Sequence, residues 1–410
     1  MKELEIKNNK LFWDGRAVEE LAQNYGTPLY IYSEKLLVNA IKELQGGPWE
    51  IHYALKANPA PGALKTVLCH NLGIDAVSAN EVDYVLRLGF DYKKIVYTSS
   101  SLSEKEAKRV ISKKVLVNLN SIEEIDLYGR IAPKTNVGIR INPEVRAGQH
   151  RHLETATEIS KFGILLHDVK KAVGVAKKYD LKITMVHFHI GSGILDADLF
   201  IRAFKNVLNI VGRVNLPDLT HINLGGGFGI PYHPGEERLD LDYLISNVNK
   251  LHSKFQKNSK KTILVIEPGK YLVGECGILV TNINTISRNR HRTFYRVDSG
   301  FNHLIRPTLY GAYHHFVNAS SVKGDTEKVV LSGNICEGGD ILNDKPREVT
   351  RAKPGDKIAI LDAGAYGVAM GMEIYNLRGL PAEIMIKENG KIVQFAKEQT
   401  LNNILSRYNL

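Results

Sequence analysis

The run "WEIHYALK" (49–56) alternates apolar and polar residues as a half-buried strand does, and it ends on Lys56. Lysine is rarely buried without a partner. Lys56 is therefore either a solvated strand end or an amine held in a pocket, able to form an imine with a carbonyl. Other residue types suited to chemistry recur at the ends of similar runs. Asp75 and Ser78 lie within "IDAVSA", on or just after the strand it predicts, and His187 and His189 lie in "HFHIGSG" before Gly191, Ser192 and Gly193. "LGGGFG" holds Gly225, Gly226 and Gly227, and "IEPGK" holds Glu267, Gly269 and Lys270. Three adjacent glycines let backbone N–H groups approach an anion, with the Ser192 hydroxyl as a further donor. The same glycines also suit a plain tight turn. His187 and His189 are expected to part, one facing the site as a flat stacking ring and the other the core. That arrangement argues against a shared metal.

The elements that must position these residues are eight β-rich runs: "WEIHYAL", "IDAVSA", "KIVYTS", "KVLVNL", "NVGIRIN", "ITMVHFHI", "THINLGG" and "TILVIEP". Segments such as "ANEVDYVLRLG" and "LHDVKKAVGVAKKYD" separate them, with apolar residues at helical spacing. Strands alternating with helices in this number predict an α/β fold, a (β/α)8 TIM barrel, whose chemistry collects at the C-terminal strand ends. An open doubly wound sheet would give a similar pattern. Past about residue 275 the runs "FYRVDSG", "EKVVLSGNICEGG", "DKIAILDAGAYG" and "AEIMIKENGKIVQ" follow one another without helical patterns, and Asn389-Gly390 signals a hairpin. The expected organisation is residues 1–32 as N-terminal strands joining the β domain, 33–275 as the barrel, and 276–410 as a C-terminal all-β domain.

At 410 residues the chain exceeds one compact core. Three cysteines without CxxC spacing make a disulfide framework or zinc site a poor fit and suit a reducing cytosol. No run approaches a membrane span. The net charge of +10 is scattered along the chain rather than interleaved with aromatics, so a nucleic-acid partner is not expected, and a small anionic ligand is compatible.

A lysine amine, a phosphate cradle, a stacking ring and a carboxylate together describe a pyridoxal 5'-phosphate site, with Glu267 able to keep the pyridine nitrogen protonated. The motifs "YALKAN", "HFHIGSG", "NLGGGFGIPY", "EPGK", "VDSGFNHLIRPTLYGAYH", "CEGGD" and "DAGAYG" span nearly the whole chain. In this order they resemble fold-type III pyridoxal phosphate-dependent decarboxylases, most of all the diaminopimelate decarboxylases. The resemblance implies a barrel plus a β domain, working as a homodimer with shared active sites. It implies that Lys56 is the Schiff-base lysine and His189 the ring-stacking histidine. Asp75, Ser192, Gly226, Gly227, Gly269 and Tyr366 fall with the cofactor contacts, and Glu267 with the ring nitrogen. Lys270, Arg306, Tyr310, Glu337 and Tyr366 fall with the substrate contacts, Glu337 receiving the distal ammonium. Cys336, supplied by the second subunit, would protonate Cα.

Several positions depart from that family. Lys270 stands where arginine is usual, trading a planar fork for a point charge. Gly338 and Gly339 replace serines, and "YTSSSLSEKE" replaces a Gly-Asn-Gly-Lys turn. The expected reaction is decarboxylation of meso-2,6-diaminopimelate to L-lysine. The alternative is a related decarboxylase acting on lysine, ornithine, a D-amino acid or a carboxylated polyamine precursor.

Overall fold

The structure is a computed structural model that describes residues 3–145, 160–259 and 261–409. Eight parallel strands close on themselves: Trp49–Ala54, Gly73–Ala76, Ile95–Thr98, Leu116–Leu119, Asn136–Asn142, Lys182–His187, His221–Asn223 and Ile263–Ile266. Closure comes from pairing of the last with the first, Ile266 opposite Ile51. These are the eight runs read from the sequence, and the closed ring excludes the open sheet. The strands are mostly apolar because both faces are covered, by side chains inside the ring and helices outside. Val96, Met185 and Val265 pack together as a separate apolar plug, with Leu116 against them.

Side chains cap the N-termini of several helices and so set where those turns end. The hydroxyls of Ser33, Ser78, Ser103 and Ser121 each accept from a backbone N–H in the first turn of the helix that follows. The second, third and fourth barrel strands are thereby followed within a few residues by a helix.

The second sheet has nine strands. Its long central strand Gly277–Arg288 pairs antiparallel with Leu29–Ser33, Thr293–Val297 and Lys357–Ile360. Leu29–Ser33 also runs parallel to Ala382–Ile386. The chain thus passes through this sheet, makes the whole barrel, and returns to it. Leu4–Lys7 and Lys10–Trp13 form an antiparallel hairpin. It is tied to the later sheet region by Leu11 N–H to Ala319 O (2.9 Å) and Val322 N–H to Asn9 O (2.9 Å). Strands Ala382–Ile386 and Ile392–Ala396 form the hairpin signalled by Asn389-Gly390, with Gly390 at φ 77°. Two short helices, Arg306–Tyr310 and Leu401–Leu405, interrupt a region that the sequence reads as strands alone. Among the described residues no helix is long and apolar enough to cross a membrane.

Candidate active site

A cavity opens at the C-terminal ends of the barrel strands, in two lobes that share Lys56, Asp75, His189 and Glu267. The larger lobe, about 300 Å³, continues past Thr98, Ser99, Arg140, Phe162 and His187. The smaller, about 40 Å³, continues past Ser192, Gly226, Gly227, Gly269, Lys270 and Tyr366. A cleft of about 340 Å³ lies at the opposite end of the barrel, beside Trp49, His52 and Lys94. It holds none of the residues singled out above, and barrel chemistry belongs to the other face.

Lys56 sits in a single helical turn, Leu55–Ala57, that ends the first strand. Its Nζ donates to Asp75 Oδ2 at 3.1 Å. Burial works against the ammonium, but Asp75, Tyr366 and Glu267 outweigh it and hold the pKa above the ordinary lysine value. Asp75 is 1% exposed, and burial followed by the nearby Glu267 charge pushes its carboxyl upward. Its second oxygen, Oδ1, has no hydrogen-bond partner among the described residues.

Glu267 is fixed on both oxygens. His187 Nε2–H donates to Oε2 at 2.9 Å, and Asn223 Nδ2 donates to Oε1 at 2.6 Å. Burial opposes its charge, but His187, Lys56 and Asn223 hold the carboxylate well below the usual range. Each oxygen keeps lone pairs for a further donor. His189 accepts from Gly226 N–H at Nδ1 (3.1 Å), and burial, then Arg140 and Lys56, keep its ring neutral.

The expected parting of the two histidines is therefore corrected. Residues two apart along a strand point the same way, and both rings line the larger lobe. His187 is no core filler: it holds Glu267. Among the described residues no group of three His, Cys, Asp or Glu side chains could hold a metal ion.

The glycine turn is a cradle that side chains would fill. A Cβ on Gly226 would lie 2.2 Å from Glu267 O, and one on Gly227 2.5 Å from Gly191 O, with Gly227 at φ 105°. Tyr366 reaches the same lobe from the β domain. Its backbone is left-handed (φ 56°), and its N–H donates to Ala57 O at 2.8 Å, next to Lys56.

Lys270 is 7% exposed and lies 5.7 Å above the Tyr232 ring; Arg306, 5% exposed, lies 4.6 Å from that ring. Burial and the Arg306 charge lower the Lys270 pKa to about 7. Arg306 donates to His314 Nε2 (2.7 Å), and His314 Nδ1–H donates to Leu361 O (2.9 Å). Tyr310 ends the short helix that Arg306 begins. Two adjacent buried cations make this wall a place for an anion.

Cys336 and Glu337 are exposed and line neither lobe. Cys336 N–H donates to Asn376 Oδ1 (2.8 Å), and Tyr375 OH donates to Glu337 Oε2 (3.4 Å). Around them Leu309, Ile374, Tyr375 and Leu377 are also exposed. Sequence reasoning passed over Arg140, Asn223 and Tyr232. The signal for Arg140 was a charge inside the apolar run "NVGIRIN".

Residues 34–274 match the family described as "Pyridoxal-dependent decarboxylase, pyridoxal binding domain". The whole chain is 34% identical to a diaminopimelate decarboxylase of Methanothermobacter thermautotrophicus, over 97% of that protein. The chain belongs to the diaminopimelate decarboxylase family of pyridoxal-dependent enzymes. A second relative of the same name, from Aquifex aeolicus, is 32% identical over 98% of this chain and 96% of its own. The crystal structure of diaminopimelate decarboxylase from M. jannaschii in complex with L-lysine superposes with a TM-score of 0.91, at 29% identity over 100% of this chain and 98% of that one. A lysine decarboxylase from Selenomonas ruminantium, at 21% identity and TM-score 0.80, shares the fold. The cofactor of this decarboxylase is pyridoxal phosphate. The cavity fits it: a lysine amine, an anionic carboxylate at the back, an unpartnered Asp75 oxygen and a turn with room for an anion but not for a methyl group.

Proposed function

We propose that the protein removes carbon dioxide from the D-configured centre of meso-2,6-diaminopimelate and releases L-lysine, the last step of lysine biosynthesis. The observation that carries this reading is the Lys56–Asp75–Glu267 arrangement opposite a wall with two buried cations, Lys270 and Arg306. Pyridoxal phosphate supplies an aldehyde that joins an amine and a ring that accepts the electron pair left by departing carbon dioxide.

The chain's own residues do the rest. Lys56 would hold the cofactor through its amine, released from Asp75. Glu267, anionic and gripped by His187 and Asn223, would keep a proton on the ring nitrogen. His189, pinned by Gly226 N–H, would lie flat against the ring. Gly226, Gly227, Gly269, Ser192 and Tyr366 would surround the phosphate. Lys270, Arg306 and Tyr310 would take the substrate carboxylate that is not lost, which accounts for a diacid rather than lysine or ornithine as substrate.

Cys336 and Glu337 complete the site only if a second copy supplies them, so this reading includes a homodimer. The exposed apolar residues Leu309, Ile374, Tyr375 and Leu377 beside them support it, since a patch of this kind marks a contact surface. Asn376 and Leu377 are held at φ 51° and 53°, strain of the sort that functional loops store. A cytosolic setting belongs to the same reading, supported by three unpaired thiols, Cys69, Cys276 and Cys336.

Purified protein loaded with pyridoxal phosphate should convert meso-2,6-diaminopimelate to lysine and carbon dioxide and leave lysine, ornithine and D-amino acids unchanged. Turnover of another amino acid without release of lysine from diaminopimelate overturns the reading.

A further inference from the structure

The two buried cations of the carboxylate wall, Lys270 and Arg306, differ in shape. Lysine offers a point charge, so the planar fork of this wall belongs to Arg306. Whatever aims that one guanidinium therefore governs how well a carboxylate is gripped. A carboxylate inside the protein would aim it too, but would cancel its charge and compete with the substrate. The structure gives Arg306 a ring instead: its Nη1 donates to His314 Nε2 at 2.7 Å. One of its N–H donors is spent there, and the charge is kept.

The chain folds so as to deliver that ring. The short helix Arg306–Tyr310 ends at Gly311, whose backbone is left-handed (φ 60°) and whose N–H donates to Arg306 O. The reversal brings His314, eight residues on, back beside Arg306. His314 is 1% exposed. Its Nδ1–H donates to Leu361 O (2.9 Å), and Leu361 N–H donates to His315 O (2.8 Å). Arg347 donates to His314 O (2.7 Å), so the ring is held at both nitrogens and through its own backbone. Arginine has no acceptor, so Nε2 must offer its lone pair and Nδ1 must carry the proton, the tautomer that Leu361 O also requires. Burial and then the Arg306 charge hold the His314 pKa well below the ordinary imidazole value, with Lys270 and Arg347 adding to the effect and Leu361 O opposing it. Tyr232 completes the mount. Its ring centre lies 4.6 Å from the Arg306 guanidinium carbon and 5.3 Å from the centre of the His314 ring, the two rings meeting at 74°.

We propose that His314 is a positioning residue for the decarboxylation: by accepting from Arg306 it aims the fork at the substrate carboxylate that is not lost. This step deepens the diaminopimelate reading above and rests on it. His314 lines neither lobe of the cavity and acts through Arg306.

The test compares wild-type holoenzyme with two variants. His314→Phe keeps a flat ring and removes both nitrogens; His314→Gln returns an amide oxygen that can accept from Arg306. Initial rates give KM and kcat for meso-2,6-diaminopimelate. Inhibition constants are measured for pimelate, which has both carboxylates and no amine, and for 1,5-diaminopentane, which has both amines and no carboxylate. In His314→Phe, KM and the pimelate constant should rise roughly ten- to a hundred-fold, the loss expected on removing a hydrogen bond to a charged group. The diaminopentane constant and the absorption of the bound cofactor should stay as in wild type. His314→Gln should recover part of the loss, and it serves if the phenylalanine variant melts early. Unchanged constants, equal weakening of both inhibitors, or a fall in kcat alone overturns the proposal. If the wild type releases no lysine from diaminopimelate, the underlying reading fails instead, and the two failures are distinct.

Discussion

Lys270 gives the most direct test of how the site is built. It is buried beside Arg306, and its pKa falls from 10.5 to about 7 because burial and a like charge disfavour the ammonium. The depression corresponds to at most ~4.8 kcal/mol. The folded value lies below the unfolded one, so between pH 7 and 10.5 Lys270 binds more protons in the unfolded chain, and its own contribution to the stability of the cofactor-free protein rises with pH across that window. At pH 7 most of the cost is still present. Lys270→Met removes it, so the cofactor-free variant should resist urea better than wild type at pH 7, by a few kcal/mol at most, and the gap should close by pH 10. Proton uptake should likewise accompany the entry of an anion beside Lys270. With the ammonium restored by a carboxylate, binding of a dicarboxylate substrate analogue to the holoenzyme should take up as much as ~0.5 proton more at pH 7 in wild type than in Lys270→Arg, and as much as ~0.9 more at pH 8. Calorimetric titration in two buffers of different ionisation enthalpy reads this difference directly. Equal uptake by wild type and Lys270→Arg, or a Lys270→Met protein less stable than wild type at pH 7, refutes the reasoning.

Glu383 accepts from Tyr32 OH at 2.8 Å inside the β domain, and burial raises its pKa to about 7. Here the folded value exceeds the unfolded 4.5, so this carboxyl adds stability at low pH that is lost as pH rises from about 4.5 through 7. The span amounts to ~3.4 kcal/mol at most. Glu383→Gln should flatten that part of the stability profile, as urea midpoints at pH 5 and pH 8 would show; an undiminished slope contradicts the argument. For the shared site, inactive Lys56→Ala and Cys336→Ala chains should regain up to about a quarter of wild-type activity when co-refolded, because random pairing makes half the dimers mixed and each mixed dimer has one intact site. Absence of any rescue, with mixed dimers demonstrated by tag pull-down, counts against a second copy supplying Cys336.

The strand–helix alternation, the barrel ends and most of the site were legible in the chain because they rest on local rules. Period-two apolar runs read as strands and runs with three- and four-residue apolar spacing as helices. A lysine ending an apolar run and a turn of three glycines likewise carry their chemistry in their residue types. Closure of the ring, the pairing of Leu29–Ser33 with strands some 250 and 350 residues later, and the neighbours of each charge were decided by tertiary structure alone. Lys270 is an ordinary cation in sequence and becomes a depressed one only because folding buries it next to Arg306. His187 and His189 show the same limit: one clamps Glu267 and the other is clamped by Gly226, and neither partner is near in sequence. Local pattern sets which backbone conformation a residue adopts. The dielectric and the partner that set its charge come from segments far away along the chain.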